Sequence, residues 1–79
     1  MDTKAIGELA GQVWTTLGAR KRVALSTLPK VMDREGILVQ QAVGWLARED
    51  KIEFEKEGRA VYVRLTAREA EAFGRHNGR

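Results

Sequence analysis

Gln40, Gln41 and Arg48 carry the densest recognition chemistry in this chain. Each amide sets a donor beside an acceptor, and the guanidinium presents a planar fork of donors, so each can grip a flat polar edge at two points. Edges of that kind line the major groove of duplex DNA, where glutamine pairs with adenine and arginine with guanine. At about 100° per residue the three fall on one side of a helix with Gly44 and Ala47, opposite Leu38, Val39, Ala42, Val43, Trp45 and Leu46. The same residues would also suit the solvated side of any amphipathic helix, so the pattern leaves both readings open. Gly44 adds a second signal, because glycine inside a helix costs on the order of 1 kcal/mol relative to alanine. Something therefore comes close there: a DNA backbone, a neighbouring helix or a second subunit.

Cations that could meet phosphates are unevenly placed. Between Gly18 and Glu35 the chain has Arg20, Lys21, Arg22, Lys30 and Arg34 against Asp33 and Glu35. From Arg48 to Glu57 the balance reverses, with Arg48, Lys51 and Lys56 against Glu49, Asp50, Glu53, Glu55 and Glu57. With a net charge of +3 and a pI near 9.7, a polyanion would meet the first stretch sooner. Lys56 and Arg59 complete the set of phosphate candidates. Solubility alone also accounts for charge runs of this kind.

Catalytic chemistry has little to build on. The chain has one histidine, His76, one serine, Ser26, and no cysteine. That leaves no nucleophile beside a base and no metal-ligand spacing, so neither an enzyme, a metal, a cofactor nor a small-molecule ligand is expected. The lack of cysteine suits a reducing cytoplasm, and no apolar run is long enough to span a bilayer. Seventy-nine residues make one domain with a small core.

The elements that must position these residues are legible. Ile6, Leu9, Ala10, Val13, Trp14 and Leu17 predict a first helix from about Thr3 to Leu17, stopped by Gly18. Arg20 to Leu25 reads as a short strand. Ser26 reads as the N-cap of a short second helix with Pro29 in its first turn, ending near Met32 or Asp33. A third helix follows from about Glu35 to Glu49. Ile37 lands on its polar side, so either regular helix starts later than Glu35 or an apolar side chain is exposed.

Ile52 to Lys56 and Arg59 to Leu65 predict a hairpin around Glu57-Gly58, with Lys56 opposite Arg59, Phe54 opposite Val61 and Ile52 opposite Val63. These apolar residues and Leu65 share one face; Glu53, Glu55, Tyr62 and Arg64 take the other. Thr66 and Glu69 form a capping box for a helix from Ala67 to Phe73, ended by Gly74. Residues 1–74 are read as the domain and 75–79 as a disordered tail, which holds His76.

Helix, short strand, helix, helix and ribbon is the order of a winged helix-turn-helix: an α+β, mostly α fold with a three-helix core, a two- to three-stranded wing and a short C-terminal helix. Two stretches narrow the match. Ala10-Gly11-Gln12-Val13-Trp14 and Gly44-Trp45-Leu46-Ala47-Arg48-Glu49-Asp50-Lys51-Ile52 resemble a family of small stand-alone prokaryotic winged helix-turn-helix proteins of unassigned function. The resemblance covers nearly the whole chain and implies the fold, without catalytic or ligand-binding residues to carry over. Where that family has glycine, an apolar residue and a Ser, Thr or Asp cap before the third helix, this chain has Asp33-Arg34-Glu35-Gly36.

Such a fold implies duplex DNA as the partner, with Gln40, Gln41, Gly44 and Arg48 at the bases. The alternative is a protein-interaction or homodimerisation module that uses the outer helix surface and the acidic wing. Gly7, Gly11, Trp14 and Gly18 recur on nearly one side of the first helix, a strip suited to close approach in a symmetric dimer.

Overall fold

The computed structural model describes residues 3–77. Its helices are α1 (Thr3–Arg20), α2 (Leu28–Met32), α3 (Gly36–Arg48) and α4 (Ala67–Asn77). Strands β1 (Arg22–Ala24), β2 (Ile52–Glu57) and β3 (Ala60–Leu65) form an antiparallel sheet in the order β1-β3-β2.

The apolar stripes find each other as their spacing requires. Leu9, Ala10, Val13 and Leu17 of α1 meet Val39, Ala42, Val43 and Leu46 of α3 in one cluster. Val23, Ile52, Val63 and Leu65 close it from the sheet side, with Leu28 of α2 fully enclosed. Burying side chains of this size gains roughly 1.5–3 kcal/mol each, so this cluster fixes how α3 sits against the sheet. Among the described residues no buried polar side-chain atom lacks a hydrogen-bond partner.

Helix ends depart from expectation where tertiary contact overrides local signals. Gly18 does not stop α1, which runs one residue past Ala19 to Arg20 and turns at Lys21, with φ 73°. Gly18 is instead buried inside the helix, because an added Cβ there would overlap the ring of Phe73 from α4. Ser26 does not cap α2. The N-cap is Thr27, whose hydroxyl donates back to Ala24 O at 3.0 Å instead of capping the helix. Asp33 closes α2 in the left-handed region at φ 56°, a conformation that Asp tolerates better than most residues. The helix α3 starts at Gly36, one residue later than Glu35, and Ile37 lies within it and is exposed.

The hairpin pairs two residues out from the expected register: Glu57 opposes Ala60, Lys56 opposes Val61, Phe54 opposes Val63 and Ile52 opposes Leu65. The turn is Gly58-Arg59, with the positive φ of 62° at Gly58 alone, as a turn with glycine in its first central position requires. A shift of two leaves every side chain on its expected face, whereas a shift of one would have inverted the ribbon.

Half of the expected capping box forms at α4. Glu69 N–H donates to Thr66 Oγ1 at 3.4 Å, but Thr66 N–H donates to Lys51 O and the Glu69 carboxylate accepts from Trp14 Nε1 at 2.8 Å. Gly74 does not end α4. The helix continues through Arg75 and His76 to Asn77, against the expected tail, and Gly78 and Arg79 lie outside the described residues.

Candidate nucleic-acid interface

The outer side of α3 is assembled by what its inner side buries. With Val39, Ala42, Val43 and Leu46 fixed in the core, Ile37, Gln40, Gln41, Gly44 and Arg48 are turned outward, and the last four are all exposed as expected. At about 100° per residue these five lie within roughly 60° of one another's midline, a single ridge about 16 Å long at 1.5 Å per residue. Beyond the adjoining residues and backbone of α3 itself, no atom lies within 4 Å of where a Gly44 Cβ would stand. A neighbouring helix of the same chain is therefore not the reason for glycine at this position.

The ribbon meets this ridge at one end. Gln40 lines a depression with Leu25, Ser26, Arg59, Ala60 and Val61, which joins α3 to the turn of the hairpin. Lys56 lies opposite Val61 on the same face of the ribbon and is exposed. The fold thus brings the Gln40 amide and the exposed Arg59 guanidinium, remote in sequence, onto one concave surface.

The remaining cations separate. Arg22, expected among the phosphate cations, is engaged within the wing. Its Nη1 donates to Glu55 and its Nη2 to Glu57, each at 3.1 Å, and its guanidinium lies 3.8 Å from the centre of the Tyr62 ring. The bonds with Glu57 and then Glu55 hold its pKa above the ordinary arginine value. Arg64 does the same work beside it, bonding Glu53 at 3.0 Å and lying 3.9 Å from Glu55. The wing's outer face is a network in which two guanidiniums meet three carboxylates, rather than the bare acidic surface suggested by the charge count.

Lys21 lines a different depression, between α1 and α4, with Leu17, Gly18 and Phe73. Arg34 lines a third, beside Glu8 and Gln12 of α1. Arg20 and Lys30 are exposed at the ends of α1 and α2, and neither joins the depression that holds Gln40.

The glycine strip on α1 is divided. Gly18 lies under Phe73, and Trp14 is held edge-to-face with Phe73 at 5.5 Å while bonded to Glu69. Gly7 and Gly11 remain open, on a groove shared with Trp45, Lys51 and Glu69. Glu69 and Phe73 are the partners of this strip, which no pattern within α1 announces. Their signal was the apolar and acidic side of α4, which has no meaning until α4 is placed on α1. Among the described residues no group of acidic or histidine side chains is arranged to hold a metal, and no helix is long and apolar enough to cross a membrane.

Three core helices with a three-stranded antiparallel wing define a winged helix-turn-helix protein. The chain belongs to the winged helix-turn-helix domain family DUF2582, whose profile matches residues 1–65. It is 38% identical over 63 residues to the uncharacterized protein MJ1608 of Methanocaldococcus jannaschii, across 76% of this chain and 89% of that one. The solution structure of protein BT2368 from Bacteroides thetaiotaomicron superposes with a TM-score of 0.73 at 31% identity, covering 82% of this chain and 79% of that one.

Two larger proteins share the fold alone. MepR, a transcription regulator of the Staphylococcus aureus multidrug efflux pump MepA, matches at a TM-score of 0.61 and 20% identity over 91% of this chain and 55% of its own. The adhesin competence repressor AdcR of Streptococcus pyogenes matches at 0.59 and 19% identity, over 99% of this chain and 58% of its own.

Proposed function

We propose that this protein binds duplex DNA as a small transcription-associated factor, laying the outer ridge of α3 in the major groove. The observation that carries the reading is the exposed alignment of Gln40, Gln41, Gly44 and Arg48, continued at the Gln40 end by Arg59 of the wing. Gln40, Gln41 and Arg48 face base edges, and the missing side chain at Gly44 lets the helix backbone come close. Arg59 and Lys56 hold phosphates beside the groove, with Lys30, Arg34, Arg20 and Lys21 as flanking cations. Arg22 is reassigned from phosphate binding to holding the wing together. Fold does not dictate function, but two fold relatives bearing the names of a transcription regulator and a repressor support this reading. A role of this kind agrees with the cytoplasmic location that a chain without cysteine suits.

The test is titration of fluorescent duplex DNA at several salt concentrations. Each phosphate contact contributes about 0.9 to the log–log salt slope, so the two wing cations alone predict a slope of roughly 2 and all six cations a slope of roughly 5. No binding at low salt by protein with an intact circular-dichroism spectrum would sink the proposal.

A second reading rests on the open part of the α1 groove. A Cβ added at Gly7 or Gly11 would meet nothing from outside its own helix within 4 Å, and Trp45 in the same groove is 38% exposed, so a partner protein or a second copy has room there. Sedimentation that finds only monomer at high concentration removes the homodimer.

A further inference from the structure

Ile37 is 67% exposed, more than any other large apolar side chain among the described residues. A single exposed isoleucine is ordinary on a protein surface. Its address is not: it stands in the first turn of α3, at the end of the ridge that Gln40, Gln41, Gly44 and Arg48 continue. Gly36 precedes it without a side chain, and Glu35 before that is itself exposed. The rest of the ridge is polar or bare. Resting on the DNA-binding reading above, we infer that Ile37 is a specificity-determining residue that packs against the 5-methyl group of a thymine in the major groove.

The chemistry follows from what that groove displays. Thymine is the one base that presents a methyl group there, and apolar side chains recognise it by excluding water. Polar ridge residues cannot do this. The first turn of a recognition helix points most directly at base edges, and that is where Ile37 stands. Gln40 and Gln41 lie three and four residues on, roughly 4.5–6 Å along the helix at 1.5 Å per residue. Successive base pairs are about 3.4 Å apart, so the methyl read by Ile37 lies one or two steps from an adenine read by either glutamine. The target therefore contains a thymine and an adenine within about two base pairs of each other.

A randomised duplex library is bound to the full chain and the best-bound sequence recovered. Each thymine in that duplex is then replaced in turn by deoxyuridine, which lacks only the methyl. Removing one methyl from a buried contact weakens binding roughly fourfold, the equivalent of one buried CH₂. The expected result is that loss at one or two positions for the wild type, abolished in Ile37→Ala and largely kept in Ile37→Val. Gln40→Ala binds more weakly but retains the methyl effect. Indifference of the wild type to every replacement, or an undiminished effect in Ile37→Ala, overturns the assignment while DNA binding stands. Failure to bind any duplex overturns both. Because Ile37 is exposed, the variants fold, which circular dichroism checks.

Discussion

Replacing Gly44 by alanine separates stability from recognition at a single atom. An added Cβ meets nothing within 4 Å, and the position lies in the interior of α3 away from the core. Alanine should therefore recover the helix propensity that glycine forfeits, about 1 kcal/mol. For a domain of this size that raises the melting temperature by roughly 4–8 °C.

The same methyl stands on the midline of the ridge between Gln40, Gln41 and Arg48. If α3 lies in a groove, the methyl holds the helix off the bases and weakens binding by the worth of about one base contact, roughly 1–3 kcal/mol. Gly11→Ala is the control, because its Cβ is equally unobstructed but stands on α1. Thermal unfolding and DNA titration of both variants give the answer. Both should be stabilised, and Gly44→Ala alone should lose affinity. Destabilisation of Gly44→Ala would mean that its surroundings are not as open as described; full affinity with higher stability would mean that α3 does not approach DNA at this residue.

Other outcomes follow from the same geometry. Gly18→Ala drives a methyl into the Phe73 ring, and overpacking of this kind costs about 1–3 kcal/mol, read as a lower melting temperature. Arg59→Gln lowers the salt slope of DNA binding by about 0.9, whereas Arg22→Gln leaves the slope unchanged and loosens the wing, read as faster amide exchange in β2 and β3. Because the folded-state pKa of Arg22 is raised, the stability it contributes is complete below the ordinary arginine pKa and is lost as pH rises through the raised value, so this pairing gives no stability step on the arginine side across neutral pH. Trp14→Phe removes the indole hydrogen bond to Glu69 and lowers stability by about 1 kcal/mol, seen in denaturant unfolding.

Element order and face assignment were legible because they rest on periodicity. The stripe on α1, the inner side of α3 and the alternation of β2 and β3 supply the core from their expected faces, but Phe54, expected on the apolar face of the ribbon, is 50% exposed because it lies toward the hairpin turn, beyond the helices. Boundaries were not, since they depend on contacts from elsewhere in the chain. Gly18 looks like a terminator until Phe73 occupies its space, and Thr27 rather than Ser26 precedes α2, with its hydroxyl turned back to Ala24 of β1. The register was off by two because Glu57 belongs to β2, where it binds Arg22 across the sheet.

The ridge residues of the candidate site were readable from α3 alone. Their convergence with Arg59, and the withdrawal of Arg22 into ion pairs, depend on a sheet order that no local pattern encodes. Exposure of Ile37 was one of two open readings in the sequence, decided by the regular start of α3 at Gly36.

Amide chemical-shift mapping with duplex DNA tests the central claim most directly. Perturbations concentrated on Ile37, Gln40, Gln41, Gly44 and Arg48, and extending to Arg59 across the junction, are predicted. Perturbations gathered instead around Gly7, Gly11 and Trp45, or none at low salt, would contradict it.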